Sequence, residues 1–446
     1  MSFPRYPEYK DSGVDWLGEV PAHWDVAPIK KVVALIESGV SVNSVDTPAV
    51  GDEPGVLKTS CVYAGKFDST ENKAVVPDEH YRVACPVVAN TLIVSRMNTP
   101  DLVGAAGLVS STNAKLFLPD RLWQVHFRDA ETNYIYYWTR TPSYRAQVEV
   151  ACAGTSSSMQ NLSQDAFRGF LLPLPHFAEQ AAIGRFLDRE TAKIDALVEE
   201  QQRLIELLKE KRQAVISQAV TKGLDPNVPM KDSGVEWLGK VPEHWDTGSL
   251  IRIADRIVVG IAEAATHAYA DEGIAILRST NIRAGRIIGE ILFVTREFAE
   301  GRATKLMSAG DLVTVRTGNA GVTAVVPSEL DGCQCFTMLI TTLRGHELPA
   351  FYCYALNSLP SQRYFSLEGW GTAQVNISVP ILKALPVTIP PISEQRAIVA
   401  YLDDATAKFD GLISEAETAM RLLDERRAAL VSAAVTGKID VRGLAA

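Results

Sequence analysis

One stretch of this chain is written twice, and its length excludes most small folds. Ala178-Glu179-Gln180-Ala181-Ala182-Ile183 opens an apolar-periodic run that closes at Ala219-Val220-Thr221-Lys222-Gly223. Ser393-Glu394-Gln395-Arg396-Ala397-Ile398 opens a second, closing at Ala434-Val435-Thr436-Gly437, at a constant offset of 215 residues. No proline interrupts either run, and each ends at or near glycine, a common helix stop. A helix of roughly 43 residues extends about 65 Å at 1.5 Å per residue. That is far beyond an ordinary globular helix.

The apolar face of each run follows a seven-residue rhythm. Leu187, Ile194, Leu208 and Val215 share one heptad position, and Val198, Ile205 and Ala219 lie four further on. The second copy places Leu402, Phe409, Leu423 and Leu430, then Ile413, Met420 and Ala434, at the same positions. This is the pattern of a coiled-coil seam. Equal length and equal register favour the two helices pairing with each other over two unrelated amphipathic helices.

A second repeat precedes each helix at a distance. Lys10-Asp11-Ser12-Gly13-Val14-Asp15-Trp16-Leu17-Gly18-Glu19-Val20-Pro21-Ala22-His23-Trp24-Asp25 recurs as Lys231-Asp232-Ser233-Gly234-Val235-Glu236-Trp237-Leu238-Gly239-Lys240-Val241-Pro242-Glu243-His244-Trp245-Asp246. The same surface is therefore built twice, with two tryptophans in each copy to anchor it. His23 and His244 have no second ligand at metal spacing and read as structural or hydrogen-bonding groups.

The segments between are variable in filling but shared in frame. Short apolar stretches (Val32–Ile36, Val56–Leu57, Val75–Val76, Leu92–Val94, Gly107–Val109, Leu122–Phe127) alternate with turns rich in Gly, Pro, Asn and Asp. That pattern predicts a mixed, strand-rich α/β domain, with Asn133–Val150 as a helix pair packed on the sheet. The order of expected parts is a repeat segment (1–25), a first variable domain (26–175), a central helix (176–222), a linker with the second repeat segment (223–246), a second variable domain (247–391) and a distal helix with tail (392–446).

The chain has 446 residues, enough for two or three domains, and a net charge of −9. Overall acidity argues against nucleic-acid binding, but the charge is unevenly spread. Residues 26–172 carry 13 Lys and Arg against 14 Asp and Glu, and residues 247–390 carry 12 of each. The acidity therefore lies in the helices and their flanks. Six cysteines without C-x-x-C spacing read as reduced thiols packed as small hydrophobes. Cys333-Gln334-Cys335 is a weak metal hint. No apolar run reaches membrane-spanning length, no apolar stretch follows Met1–Arg5 as a signal peptide requires, and a cytoplasmic location is expected.

The polar positions shared by the two variable domains are of one chemical kind. Lys58, Thr59, Ser60 and Lys66 align with Arg278, Ser279, Thr280, Asn281, Arg283 and Arg286. Arg96 and Asn98 align with the Arg316, Thr317 and Asn319 region, and the Thr155, Ser156, Gln160, Asn161 loop meets Thr372, Gln374 and Asn376. Arginine pairs with guanine, Asn and Gln with adenine, and Ser, Thr and backbone N–H groups with phosphate. Each residue alone suits a water-facing turn; the set, present twice, favours nucleic-acid contact. Phosphate-loop, H-E-x-x-H and G-x-S-x-G motifs are absent, as are the Asn-Pro-Pro-Tyr tetrad and Gly-rich adenosylmethionine loop of a DNA methyltransferase. A binder that depends on catalytic partners is expected, with no metal or cofactor of its own.

Two variable domains, each preceded by Trp-Leu-Gly-x-Val-Pro-x-His-Trp and each followed by a helix opening with Glu-Gln-x-x-Ile, resemble the specificity (S) subunit of a type I restriction-modification enzyme over essentially the whole chain. The resemblance implies two target recognition domains, each reading one half of a split double-stranded DNA site. It implies an antiparallel coiled coil that sets the spacing and gives the chain a pseudo-twofold internal repeat. It also implies two methyltransferase (M) subunits that use S-adenosylmethionine to methylate adenine, and restriction (R) subunits that use ATP and Mg to cleave DNA. No membrane partner is implied. The competing expectation is a coiled-coil scaffold whose variable domains bind protein.

Overall fold

The computed structural model describes residues 3–152, 158–262, 268–371 and 374–444. The long helices run Phe177–Lys222 and Ile392–Val435, 46 and 44 residues. By internal contact the chain divides into two compact units, Met1–Gln201 with Thr418–Ala446, and Gln202–Glu417. Each unit thus combines one variable domain with part of both long helices.

In the first unit a four-stranded antiparallel sheet has the order Ala106–Leu108, Leu92–Ser95, Leu122–Phe127, Val33–Ser38. A second sheet has the order Asn72–Ala74, Gly55–Leu57, Asn113–Phe117, Pro86–Val87, with a parallel pair at its centre. The run Leu92-Ile93-Val94 is fully apolar because both its faces are covered. Leu92 and Val94 face one core, with the aromatic helices, and Ile93 faces the other, as the period of two demands. The expected helix pair forms as Thr132–Trp138 and Pro142–Cys152, and Tyr134, Tyr137, Trp138 and Tyr144 lie in the core. The strand expected at Val75–Val76 is reduced to a single antiparallel bridge, Val75 with Ser44, following the strand Asn72–Ala74. Val76 precedes Pro77, which opens a 3-10 turn, and a residue before proline is pushed out of helical backbone while proline itself has no N–H to donate.

The second unit repeats the strand order of the first sheet, with Thr323–Val325, Leu312–Thr314, Leu339–Leu343 and Ala254–Val259. Its other sheet again contains a parallel pair, Ile274–Leu277 with Gln334–Cys335. Leu312 faces one core and Val313 the other.

The long helices are built into these cores at their ends. In the first unit Ile183, Phe186 and Leu187 from the start of the first helix share a core with Leu430, Val431, Ala434 and Val435 from the end of the second. In the second unit Ile216, Ala219 and Val220 share a core with Ile398 and Leu402. Leu187, Leu402 and Leu430, expected in a two-helix seam, therefore pack among domain side chains as well. Ile194 and Ile205 are buried, at 4% and 3% exposure. Val198, Leu208, Val215, Phe409, Ile413, Met420 and Leu423 are half-buried. Leu197, Leu204, Leu207, Leu412 and Leu422, off the heptad positions, are exposed.

The repeated Glu-Gln pair explains itself at the head of each helix. Glu179 is buried and accepts hydrogen bonds from the Tyr6 hydroxyl at 2.8 Å and from His23 Nε2 at 2.9 Å. Glu394 accepts from His244 Nε2 at 2.7 Å and Trp245 Nε1 at 2.9 Å. Each glutamate thus ties its helix to the repeated His-Trp segment. Gln180 Oε1 accepts from the Glu131 N–H at 3.0 Å and its Nε2 donates to Pro175 O at 2.8 Å. Gln395 Oε1 accepts from the Leu348 N–H at 2.9 Å, and its Nε2 donates to Pro390 O at 2.9 Å and Glu347 Oε2 at 2.8 Å. Each glutamine thus ties its helix to the first turn of a domain helix. At the far ends, Gly223 and Gly437 adopt φ of 76° and 73°. A Cβ on Gly437 would stand 2.3 Å from Pro21 Cδ, beside the buried Trp24.

None of the six cysteines is in a disulfide, five of them are buried, and no cluster of three or more potential metal ligands occurs among the described residues. Burial pushes the Cys333 and Cys353 thiols up to about 12. No helix among the described residues is long and apolar enough to cross a membrane. Because Gln395 is 1% exposed with both ends of its amide engaged, Gln395→Ala should cost about 1–3 kcal/mol, the loss expected for stranded buried partners. Equilibrium denaturation measures it, and a change within about 0.5 kcal/mol would contradict the reading.

Candidate nucleic-acid interface

The fully buried strand Leu92–Ser95 leads out of the first sheet into Arg96. There Met97–Asn98 pairs with Gln160–Asn161. The Leu162 N–H donates to Arg96 O at 2.8 Å, and Leu162 itself is fully buried. An apolar anchor and backbone bonds thus fix a small polar platform. On it the Arg96 guanidinium lies 3.4 Å from Asn161 Oδ1 and 5.9 Å from the Trp123 ring centroid. Tyr63, 40% exposed, joins the platform through its hydroxyl, 2.8 Å from Thr59 Oγ1 and 3.0 Å from Asn98 Nδ2.

The second unit builds the same frame from different side chains. Leu312–Thr314 leads to Arg316, whose carbonyl accepts from the N–H of the buried Ile377 at 2.9 Å. Thr317 bridges to Asn376, and Thr317 Oγ1 donates to Asn376 Oδ1 at 2.5 Å. Trp370 and Asn376 exchange two backbone hydrogen bonds, at 3.2 and 2.9 Å. They close a loop that carries the exposed Gln374 and leaves Trp370 58% exposed. The Arg316 guanidinium has no hydrogen-bond or ion-pair partner among the described residues. Sequence reasoning singled out neither Tyr63 nor Trp370; exposed aromatics beside a polar loop are the available signal, because an aromatic face stacks on bases.

Several expected contact residues are committed elsewhere. Asn98 and Asn281 are buried, at 7% and 2% exposure. Asn98 Nδ2 donates to Tyr63 and Ser95, and its Oδ1 accepts from the Thr99 N–H. Asn281 Oδ1 accepts from the Arg278 N–H, and its Nδ2 donates to Ile288 O and Glu290 O. Both amides close turns and have nothing left for a base edge. Ser60 donates to Glu71. Lys66 Nζ lies 2.7 Å from Asp195 and Arg286 Nη2 lies 3.7 Å from Asp410, so both cations reach towards a long helix.

Lys58 and Arg278 are half-buried, and Ser279, Thr280, Arg283 and Asn319 are exposed. The Arg283 guanidinium is held by its neighbours' carbonyls, at 2.9 Å from Ile282 O. Thr155, Ser156 and Thr372 lie outside the described residues.

Where domain meets helix, the geometry repeats. Tyr137 donates to Asp188 Oδ1 at 2.8 Å and lies 3.1 Å from Thr191 Oγ1. Tyr354 donates to Asp403 Oδ1 at 2.7 Å and lies 3.3 Å from Thr406 Oγ1. Burial pushes the Tyr354 phenol up to about 12, so the proton that makes this bond stays in place at neutral pH.

With two matching platforms described, similarity to known proteins can be set beside them. A model of the type I restriction modification DNA specificity domain matches residues 266–417. The MjaVIII specificity subunit of Methanocaldococcus jannaschii is 21% identical over 436 residues, 95% of each chain. The EcoKI specificity subunit of Escherichia coli K12 is 23% identical over 448 residues, 95% of this chain and 91% of the relative. Over nearly its whole length the chain is similar to type I restriction-modification specificity subunits.

Solved structures share its fold. A chain from a type I R-M system studied for complex assembly and conformational transition superposes with a TM-score of 0.65 at 17% identity, covering 93% of this chain and 98% of that one. The HsdS subunit of Thermoanaerobacter tengcongensis gives 0.52 at 16% identity, covering 94% and 98%. The domain-model match covers much of the second variable domain, including Arg278, Arg316 and Asn376.

The buried and exposed amides of the subunit should separate in stability. Asn281→Ala should cost about 1–3 kcal/mol by stranding buried partners. Asn161→Ala, at an exposed site, should stay within about 0.5 kcal/mol. Denaturation midpoints of the two variants decide it.

Proposed function

We propose that each variable domain reads one half of a bipartite duplex DNA site through its platform, Arg96, Gln160 and Asn161 in one and Arg316, Thr317, Gln374 and Asn376 in the other. The observation that carries this reading is the shared frame with unlike side chains. A buried Leu162 or Ile377 donates its N–H to an arginine carbonyl in both units, while the polar groups around that bond differ. Arginine offers a bidentate match to guanine, and amides match adenine.

The long helices are proposed to pair antiparallel as a coiled coil, giving the chain its pseudo-twofold character and setting the distance between half-sites. Two ion pairs support this. Asp195 meets Arg427 at 2.6 Å and Arg212 meets Asp410 at 3.3 Å. One helix advances by the number of residues that the other retreats, as antiparallel partners do. The exposed Leu197, Leu204, Leu207, Leu412 and Leu422, set among acidic residues, suit docking of methyltransferase subunits, since exposed apolar residues on a charged helix mark protein contact sites. Methyl transfer with S-adenosylmethionine and ATP-driven cleavage with Mg then belong to partner subunits, and this chain supplies no catalytic group. A cytoplasmic location follows from that role.

The test is a gel shift of the chain with its methyltransferase partner on a duplex carrying the split site, found by mapping methylated adenines in the source genome. Scrambling either half-site should abolish the selective shift, whereas an equal shift on any duplex would overturn the reading. Arg316→Ala should weaken recognition of one half-site only, by about 1–3 kcal/mol. An equal loss on unrelated DNA would assign Arg316 to phosphate, and Kd values on half-site variants tell the two apart.

A further inference from the structure

A carboxylate on each long helix is held from two sides. In the first unit Asp195 Oδ2 lies 2.7 Å from Lys66 Nζ, at the foot of the variable domain, and Asp195 Oδ1 lies 2.6 Å from Arg427 Nη2, on the other long helix. In the second unit Asp410 Oδ2 lies 3.7 Å from Arg286 Nη2 of its domain, and Asp410 Oδ1 lies 3.3 Å from Arg212 Nε of the other helix. One aspartate therefore connects three separate elements in each unit, at equivalent positions of the repeat.

The surroundings explain why ions are needed here. Beside the first aspartate is a cavity of about 260 Å³ lined by Lys66, Tyr137, Asp188, Asp195 and Arg427. Beside the second is one of about 230 Å³ lined by Arg212, Arg286, Tyr354, Asp403 and Asp410. The domain foot and the helices are not close-packed at this corner. Little dispersion opposes tilting of the domain about its buried helix-end core, because atoms across a gap lose their contacts. The charged clamp resists such a tilt, alongside the Tyr137–Asp188 and Tyr354–Asp403 hydrogen bonds in the same cavities.

We propose that Asp195 and Asp410 are positioning residues that fix the angle of each recognition domain on the helix pair, and so set how strictly the subunit demands one spacer length between half-sites. This rests on the bipartite reading above. One added base pair moves a half-site by about 3.4 Å along the duplex and turns it by about 35° around it. A rigidly held domain cannot follow that displacement, but a loosely hinged one follows part of it. The clamp of the first unit is tighter, with both contacts under 3 Å, so the first unit contributes more of the stringency. The aspartates keep 37% and 42% of their side-chain surface in solvent, and ion pairs open to water add little to global stability, so losing the clamp loosens the domain without unfolding it.

The experiment uses the full subunit with its methyltransferase partner and three duplexes, one with the mapped spacer and two with spacers one base pair longer and shorter. In the wild type, preference for the mapped spacer should be strong. Asp195→Asn should reduce it by about fivefold to tenfold, a typical size for a coupling effect. Asp410→Asn should reduce it less, Arg427→Gln should match Asp195→Asn, and Asp195→Glu should recover part of the preference. Discrimination against base changes within either half-site should stay at wild-type level, a separation that general loss of folding would not produce. Unchanged spacer preference in Asp195→Asn, or parallel loss of spacer and base discrimination, overturns the proposal.

Should Asp195→Asn fail to fold, the wild type supplies the second measurement. Spacer preference should fall as salt rises from about 50 to 200 mM, where ionic contacts weaken, and a preference that holds constant also overturns it. If the wild type selects no split site at all, the bipartite reading fails first, which is a different result from unaltered stringency.

Discussion

A carboxylate and its neighbouring buried carboxamide at the head of each long helix govern the arrangement of everything around them. Glu179 and Glu394 hold the His-Trp segments, and Gln180 and Gln395 hold the entry of a domain helix. These contacts stand or fall together, since a buried polar group without its partner costs far more than a made hydrogen bond returns. Two adjacent side chains point to opposite neighbours because successive helical residues are turned by about 100°. A single dipeptide can therefore fasten both the segment that precedes a domain and the domain itself to one helix.

The helices in turn depend on the domains. Isolated helices draw little stability from propensity and rely on a packed face. Here the packed face at each end lies inside a domain core, with Phe186 and Leu187 among the aromatics of one and Leu402 and Ile398 within the other. Between these ends the burial thins to Ile194, Ile205 and Ala416, and leucines stand in solvent. Each helix is thus held firmly where it enters a domain core and is partly uncovered beyond it.

Much of this was legible in the sequence because it is written in periodic apolar positions. The two helices, the helix pair after the sheet, and the strands at Leu92 and Leu122 follow from spacing alone. The polar positions were less legible, since the same letter serves opposite ends. Asn98 and Asn281 look like base-reading amides, yet each turns inward to close a turn. Lys66 and Arg286 look like nucleic-acid contacts, yet each reaches a helix aspartate. Asp188, Asp195, Asp403 and Asp410 look like solvated charges on an acidic helix. Their role emerges only when tertiary structure places a domain beside them. Side-chain direction is set by tertiary packing, and a repeat alignment carries no record of it.

On the proposed reading, the same division lets one frame serve two specificities. The bonds that shape each platform run from backbone to backbone, Leu162 to Arg96 and Ile377 to Arg316, and such bonds are indifferent to side-chain identity. The anchors beneath them are apolar and fully buried, so they are constrained by packing. Everything above that layer is free to vary at little energetic cost, because exposed substitutions seldom change stability by more than about 0.5 kcal/mol. Arg96 with Asn161 in one unit and Thr317 with Asn376 in the other are two fillings of one mould. If the platforms read DNA as proposed, a change of target sequence falls first on the outer side chains, while the inward amides of Asn98 and Asn281 and the helix-head Glu-Gln pairs are held by their buried partners.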